Sequence, residues 1–167
     1  MTRELILMRH GKSDWSEPVS DYQRPIKARG FREALRIGNW MNEQDLQPGL
    51  LISSPARRAR ETAETVAEAI GYDKKAIRWN ESLYMADVSE ILDAIALAPD
   101  DCRTLMVIGH NPGLEDLLFY LTDEVDVPED GKVLPTAAIA VLETESDWST
   151  LEHASCSVEV IVRGRYL

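Results

Sequence analysis

The sequence has few cysteines and no long apolar run. Its two cysteines, Cys102 and Cys156, lack the paired spacing of a zinc or redox motif, so we expect no disulfide framework and no zinc cluster. The apolar stretch nearest the N-terminus covers only residues 5–8. A signal peptide needs an apolar core of about 7–15 residues, and a membrane helix needs about 20. These absences predict a cytoplasmic protein that does not bind a membrane.

Basic residues are also scarce, since 18 Lys and Arg stand against 29 Asp and Glu, for a formal net charge of −11. A general nucleic-acid binder needs clustered cations, so this balance argues against that class, although it leaves room for a small local anion site. The chain has 167 residues, of which 44% are hydrophobic. It is therefore too apolar for a disordered chain, and its length suits one domain spanning residues 1–167.

Short apolar runs alternate with helical patterns along the chain. Buried strands are predicted at residues 5–8, 50–52 and 105–108, and later strands at 137–142 and 158–162. Helices are predicted at residues 27–44, 55–70, 87–97 and 112–121, and a loop at 123–135. The alternation indicates an α/β domain with a mainly parallel sheet, in which ligands bind beyond the carboxyl ends of the strands.

Local signals refine these helices. Two dipeptides are expected to cap and open a helix, namely Ser54-Pro55 and Asn111-Pro112. The helical spacing of Phe31, Leu35, Gly38 and Met41 predicts that these residues share the buried face of the first helix. The four tryptophans are expected to serve packing.

Two of the three histidines follow predicted strands. Arg9-His10-Gly11 comes after the first apolar run, and Gly109-His110 after the run at 105–108. The adjacent glycines are expected to let a ligand approach the backbone. Histidine is the side chain that can act as nucleophile or proton carrier near neutral pH, so the pair predicts a reaction centre at this edge of the sheet.

Arginines crowd the start of the second helix. Arg57, Arg58 and Arg60 fall in its first two turns, where the helix dipole disfavours cations by about 0.3–1 kcal/mol each. The crowding is explained if an anion binds there, because helix N-termini and arginine forks both bind phosphate. Arg57 and Arg60 also fit a solvated surface.

Four motifs in order resemble the histidine phosphatase superfamily, whose fold is phosphoglycerate-mutase-like. They are Arg9-His10-Gly11, the segment 54–63 that carries Arg58, the segment 80–84 that carries Glu81, and Gly109-His110. The resemblance implies a three-layer α/β/α domain. It also implies that His10 is the nucleophile, with Arg9, Arg58 and His110 as phosphate-binding groups.

The resemblance extends to the SixA-type phosphohistidine phosphatases through residues 7–15, 21–26 and 29–30. It implies a phosphatase that works through phosphorylated His10 and acts on phosphohistidine in a protein, such as a histidine-phosphotransfer domain. Arg24 would add a third phosphate-binding guanidinium, and Glu81 would be the acid–base group or else a surface carboxylate. No metal and no cofactor are expected, because arginine supplies the positive charge.

Two other functions are considered. One is a phosphomonoesterase for small phosphate esters that uses the same residues. The other is a non-catalytic domain that binds phosphoproteins, against which the presence of both His10 and His110 speaks. Asp14 and Asp21 are interpreted either as solvated loop carboxylates or as groups that orient Lys12 or Arg24.

Overall fold

The computed structural model describes residues 1–167, and its centre is one six-stranded sheet. The strands are β1 (Arg3–Arg9), β2 (Leu50–Ser53), β3 (Arg78–Trp79), β4 (Thr104–Gly109), β5 (Ala138–Thr144) and β6 (Cys156–Arg163). Their order across the sheet is β3-β2-β4-β1-β5-β6. The first four strands pair in parallel, and only β5 runs against its two neighbours. The predicted mainly parallel sheet is confirmed.

Four helices cover the two faces of this sheet. They are α1 (Ala28–Glu43), α2 (Arg57–Ile70), α3 (Val88–Ala96) and α4 (Gly113–Leu121). Along β1, Leu5 and Leu7 pack with α3 and α4, whereas Ile6 and Met8 pack with α1 and α2. Because successive side chains of a strand point to opposite faces, one apolar run supplies both cores. The three-layer α/β/α architecture is confirmed.

The buried face of α1 differs in part from the prediction. Gly38 and Met41 are buried as predicted, but Phe31 and Leu35 are 40% and 48% exposed, and the helix buries Ala34 and Ile37 instead. The apolar residues of α1 fall on more than one side of the helix, so spacing alone fits two registers. The closest approach to α2 is at Gly38, where an added Cβ would lie 2.5 Å from the Cβ of Ala69.

The two predicted Pro-containing helix starts are also wrong in detail. Ala56 is the N-cap of α2, and the Ser54 hydroxyl lies next to the ring of His110 instead. Pro112 precedes α4 rather than opening it. The predicted start of α3 is correct, since the side chain of Asp87 and that of Glu90 each accept the other's backbone N–H, as in a capping box. The interval 123–135 contains no helix or strand, as predicted.

The loop after β1 crosses the start of α1 at two glycines. A Cβ added to Gly11 would lie 3.0 Å from the backbone of Gly30, and one added to Gly30 would lie 2.9 Å from the carbonyl oxygen of Lys12. Gly11 is therefore needed for this backbone contact rather than for ligand approach. A Cβ on Gly109 would meet nothing nearer than 3.9 Å, so the expected role of that glycine has no steric support.

One hydrogen bond, made through Thr62, ties the same loop to α2. The Thr62 hydroxyl donates to the carbonyl oxygen of Arg58 at 2.7 Å and accepts the Gly11 N–H at 2.9 Å. The loop that follows the first strand is thus held against both helices of one face.

No helix of the protein is both long enough and apolar enough to span a membrane.

Candidate active site

The two motif histidines meet because their strands are neighbours. Arg9 and Gly109 are paired in the β1–β4 register, so His10 and His110 leave the sheet side by side. The His10 N–H donates to the Gly109 carbonyl oxygen at 3.1 Å, and the ring centroids are 5.3 Å apart. The two imidazole rings are therefore close to each other, as the predicted reaction centre requires.

His10 is buried, and one contact defines its tautomer. Its Nδ1 lies 2.7 Å from the carbonyl oxygen of Gly11. A carbonyl oxygen can only accept, so Nδ1 carries the proton and Nε2 keeps its lone pair. Burial lowers the pKa of His10 well below its usual range, and the charges of Arg9 and Arg58 lower it further. His10 is therefore neutral at pH 7 with a free nucleophilic nitrogen.

His110 is also buried and neutral. Burial first, and then the charge of Arg58, lower its pKa to about 4. Its Nε2 lies 2.8 Å from the hydroxyl oxygen of Ser54, while its Nδ1 is buried without a hydrogen-bond partner. The ring edge of Tyr84 packs against it at a centroid distance of 5.7 Å.

Two of the predicted arginines converge on one carboxylate. Arg58 donates from Nη1 to the backbone oxygen of Asp21 at 2.6 Å and from Nη2 to its carboxylate at 3.1 Å. Arg24 donates to the other carboxylate oxygen. Both guanidinium groups are buried, whereas Arg9 is half-buried and donates to the carbonyl oxygen of Leu134 at 3.4 Å.

Unpartnered polar atoms concentrate on these residues. Seven buried side-chain N or O atoms of the chain have no hydrogen-bond partner, and four belong to predicted phosphate-binding residues: Arg9, Arg24, Arg58 and His110. Buried donors in folded proteins nearly always have partners. Such a concentration is typical of a site built for an anionic ligand.

Asp21 has a larger role than the sequence indicated. Besides the two arginines, it accepts the phenolic hydroxyl of Tyr84 at 2.6 Å. The hydrogen bond from Tyr84 and those from Arg24 and Arg58 hold the pKa of Asp21 well below its usual range. The expected link between Asp21 and Arg24 is present. The available sequence signal was the three-residue spacing between them, but nothing in the sequence pointed to Arg58 or Tyr84.

Glu81 lies apart from the histidines. Its carboxylate accepts the hydroxyl of Tyr22 at 2.9 and 3.2 Å, and the ring of Tyr22 packs edge-on against Tyr84. Glu81 is not among the charges that shift the pKa values of His10 and His110. Two aromatic rings thus separate it from His110, and its acid–base role stays a prediction.

Trp15 does not serve packing, contrary to expectation. It is 70% exposed, and the guanidinium carbon of Arg24 lies 3.6 Å from the centre of its ring. This cation–π contact restrains the guanidinium of Arg24. Trp148, in contrast, is fully buried and donates from Nε1 to the backbone oxygen of Cys102 at 2.7 Å.

A three-layer α/β fold with two histidines at neighbouring strand ends defines the phosphoglycerate-mutase-like class. The sequence model of the histidine phosphatase superfamily (branch 1) matches residues 5–83. An uncharacterized protein of Mycobacterium tuberculosis is 33% identical over 150 residues, which cover 87% of this chain and 92% of that protein. The phosphohistidine phosphatase SixA of Escherichia coli is 28% identical over 138 residues, or 82% of this chain and 83% of SixA.

Solved structures agree with these matches. A SixA structure from Nakamurella multipartitia has a TM-score of 0.81 and 26% identity, covering 98% of this chain and 96% of its own. A SixA structure from Agrobacterium tumefaciens has a TM-score of 0.77 and 27% identity, covering 96% and 97%. The chain belongs to the histidine phosphatase superfamily. It is a hydrolase with phosphatase activity, and it is similar to the SixA proteins over nearly its whole length.

The depressed pKa of His110 predicts how stability depends on pH. The folded state resists protonating this ring down to about pH 4, whereas the unfolded chain protonates it near 6.5. The stability contribution of the neutral ring is therefore full above pH 6.5 and is lost as pH falls toward 4, by about 3 kcal/mol. Urea unfolding at pH 7 and pH 4 should show that the wild type loses about this much more than His110→Gln. Equal losses in the two proteins would contradict the assignment.

Proposed function

We propose that this phosphatase removes the phosphoryl group from phosphohistidine in a protein, and that it does so through phosphorylated His10. The observation that carries the proposal is the state of His10. The ring is buried and neutral, its Nδ1 proton is bound by Gly11, and its Nε2 is free. A nucleophile needs such a nitrogen at neutral pH.

In the first step, Nε2 of His10 attacks phosphorus in line, and the bond from phosphorus to the substrate imidazole breaks. The substrate imidazole carries a proton on its other nitrogen, so the released nitrogen keeps the electron pair of the broken bond and the ring leaves neutral without further protonation. Arg9, Arg24 and Arg58 carry three positive charges against the one negative charge of Asp21. The resulting two charges match a dianionic phosphoryl group, whose oxygens need neutralising throughout the transfer.

In the second step, a water molecule attacks the phosphorus on His10, and the bond to Nε2 breaks. His10 returns to its neutral form, and inorganic phosphate leaves. His110 contributes as a neutral donor: its Nδ1 has no protein partner, so a phosphoryl oxygen can accept its hydrogen when Ser54 donates to Nε2.

The position of the carboxylates supports phosphohistidine over an alkyl phosphate ester. An alkoxide leaves poorly unless a proton reaches it in the transition state. Asp21 is held ionised by Tyr84 and the arginines, so it is a poor proton donor. Glu81 lies at the rim on Tyr22. An imidazole leaving group needs less help, and the curated relative from Escherichia coli is named a phosphohistidine phosphatase.

Replacement of His10 tests the proposal directly. His10→Ala should abolish hydrolysis of a phosphohistidine protein, because the nucleophile is missing. Rapid acid-free quenching of the wild type should trap an acid-labile phosphoryl group that His10→Ala lacks. His153→Ala, which removes an exposed histidine, is the matched control and should keep both activity and the trapped group. Near-normal turnover by His10→Ala would show that His10 is not the nucleophile.

Replacing each of two arginines of α2 tests whether phosphate binding depends on Arg58 itself or on surface charge in general. Arg58→Ala should weaken binding of vanadate or phosphate about 10- to 100-fold, since a charged hydrogen bond contributes about 1.5–3 kcal/mol. Arg60→Ala is the control, because its side chain is half-exposed and pairs only with Glu64 at 3.9 Å. It should change the inhibition constant by less than about threefold, as exposed pairs contribute little. Equal losses would mean that Arg58 is not a phosphate ligand.

The role of Glu81 should depend on the leaving group. Glu81→Gln should leave kcat/KM for phosphohistidine within about threefold of wild type. Hydrolysis of an alkyl phosphate should fall further, by up to the roughly 10²–10⁴-fold that general acids supply. Tyr22→Phe, which removes the hydroxyl that Glu81 accepts, tests whether that contact matters. An equal large loss on both substrates would show that Glu81 serves the dephosphorylation step or the fold.

A further inference from the structure

A strongly basic cleft opens beside Arg9. It has a volume of about 440 Å³, and Leu134 and Pro135 are its only apolar side chains. Its cations are six of the chain's 18 Lys and Arg: Arg9, Lys12, Arg29, Lys132, Arg163 and Arg165. Two carboxylates, Glu115 and Asp130, face them. The cleft is therefore net positive by four charges in a chain whose net charge is −11.

Some of this charge is already matched within the protein. Arg163 makes a two-pronged salt bridge to Asp130 at 2.7 and 3.0 Å. Arg29 lies 3.1 Å from the carboxylate of Glu33. These two cations need no further partner.

Four cations of the cleft form no salt bridge. They are Arg9, Lys12, Lys132 and Arg165. The remaining carboxylate, Glu115, offsets part of the charge of Arg9, and its Oε1 accepts the backbone N–H groups of Val133 and Leu134 at 3.1 and 2.8 Å. One carboxylate leaves these four cations with a surplus of positive charge. Like charges held together at a concave surface repel one another and raise the local concentration of anions. The arrangement favours an anionic ligand.

The cleft is continuous with the phosphoryl site. Arg9 lines it and also lies close enough to His10 and His110 to shift the pKa values of both. Lys12 lies two residues after His10, and Asn111, another lining residue, directly follows His110. An anion in the cleft would therefore belong to the same molecule that presents its phosphoryl group to His10. The polar lining excludes an apolar side chain as its main occupant.

We propose that the cleft binds aspartate and glutamate side chains that neighbour the phosphohistidine of the protein substrate. The inference rests on the proposed function and adds a selection rule to it: phosphohistidines flanked by acidic residues are preferred. Elsewhere the acidic surface repels such a protein, so the cleft is the place where it can approach closely. Lys132 and Arg165, both exposed, are the cations best placed to meet it.

The test uses two peptides that share one phosphohistidine and differ only in their flanks, Asp and Glu in one and Asn and Gln in the other. For the wild type, kcat/KM should be about tenfold higher for the acidic peptide, as two or three partly exposed ion pairs would give. The ratio should shrink at 0.5 M salt relative to about 0.05 M, because the Debye length falls. Comparing two substrates on one preparation removes differences in folded fraction.

Two double variants show whether the cleft or the overall charge of the protein causes the preference for the acidic peptide. Lys132→Ala with Arg165→Ala should bring the ratio close to one. Lys75→Ala with Arg103→Ala removes two exposed, unpaired cations that do not line the cleft, so it should keep the wild-type ratio. If both variants lose the preference equally, net charge rather than the cleft is responsible and the proposal is overturned. A ratio near one in the wild type also overturns it.

Failure of the proposed function would appear differently. If the wild type hydrolyses neither peptide, phosphohistidine is not its substrate. Fluorescence titration with the unphosphorylated acidic peptide then tests the cleft separately. If Lys132→Ala with Arg165→Ala weakens binding of this peptide and the control variant does not, the cleft binds acidic side chains as proposed. If pyrophosphate inhibits much better than orthophosphate while the peptides behave alike, the cleft binds a compact dianion and acidic side chains are not its occupants.

Discussion

The burial of guanidinium charge next to two imidazoles is the constraint around which the site is arranged. A buried cation is costly unless a partner offsets it. Asp21 offsets part of the charge of Arg24 and Arg58, and its own proton is lost as a result. The remaining positive field and the burial keep both histidines neutral. One electrostatic balance therefore accounts for a surplus of buried positive charge and for the neutral rings of His10 and His110.

Much of this arrangement is predictable because its causes are local or follow from simple topology. A continuous apolar run predicts a strand buried on both faces, and the residue after it must lie at the carboxyl edge of a parallel sheet. His10 and His110 follow two such runs, and their strands are hydrogen-bonded neighbours. Cations near a helix N-terminus oppose the helix dipole, which marks Arg57, Arg58 and Arg60 as a group. The resemblance to the histidine phosphatase motif singles out Arg58 among them.

The remainder depends on contacts between distant residues. Asp21 contacts Arg58 and Tyr84, which lie 37 and 63 residues further along the chain. A carboxylate in a loop belongs to no periodic pattern, so the sequence does not predict these contacts. Serine is a residue type that commonly caps helices, yet the hydroxyl of Ser54 lies at hydrogen-bond distance from the ring of His110. Phe31 is 40% exposed although Ile37 of the same helix is fully buried, so hydrophobicity alone does not decide which side of a helix faces the core.

The basic cleft combines residues from the first motif with residues from the end of the sheet. The motif residues lie between positions 9 and 110, whereas β6 and the turn at Gly164–Tyr166 supply Arg163 and Arg165 to the basic cleft. β5 runs antiparallel to both β1 and β6, so the chain returns to the carboxyl edge of the sheet just before it reaches these two arginines. Arg163 and Arg165 lie outside the β1–β4 register that places His10. A local cationic surface within an acidic molecule also orients what it attracts, because repulsion from every other side penalises wrong encounters.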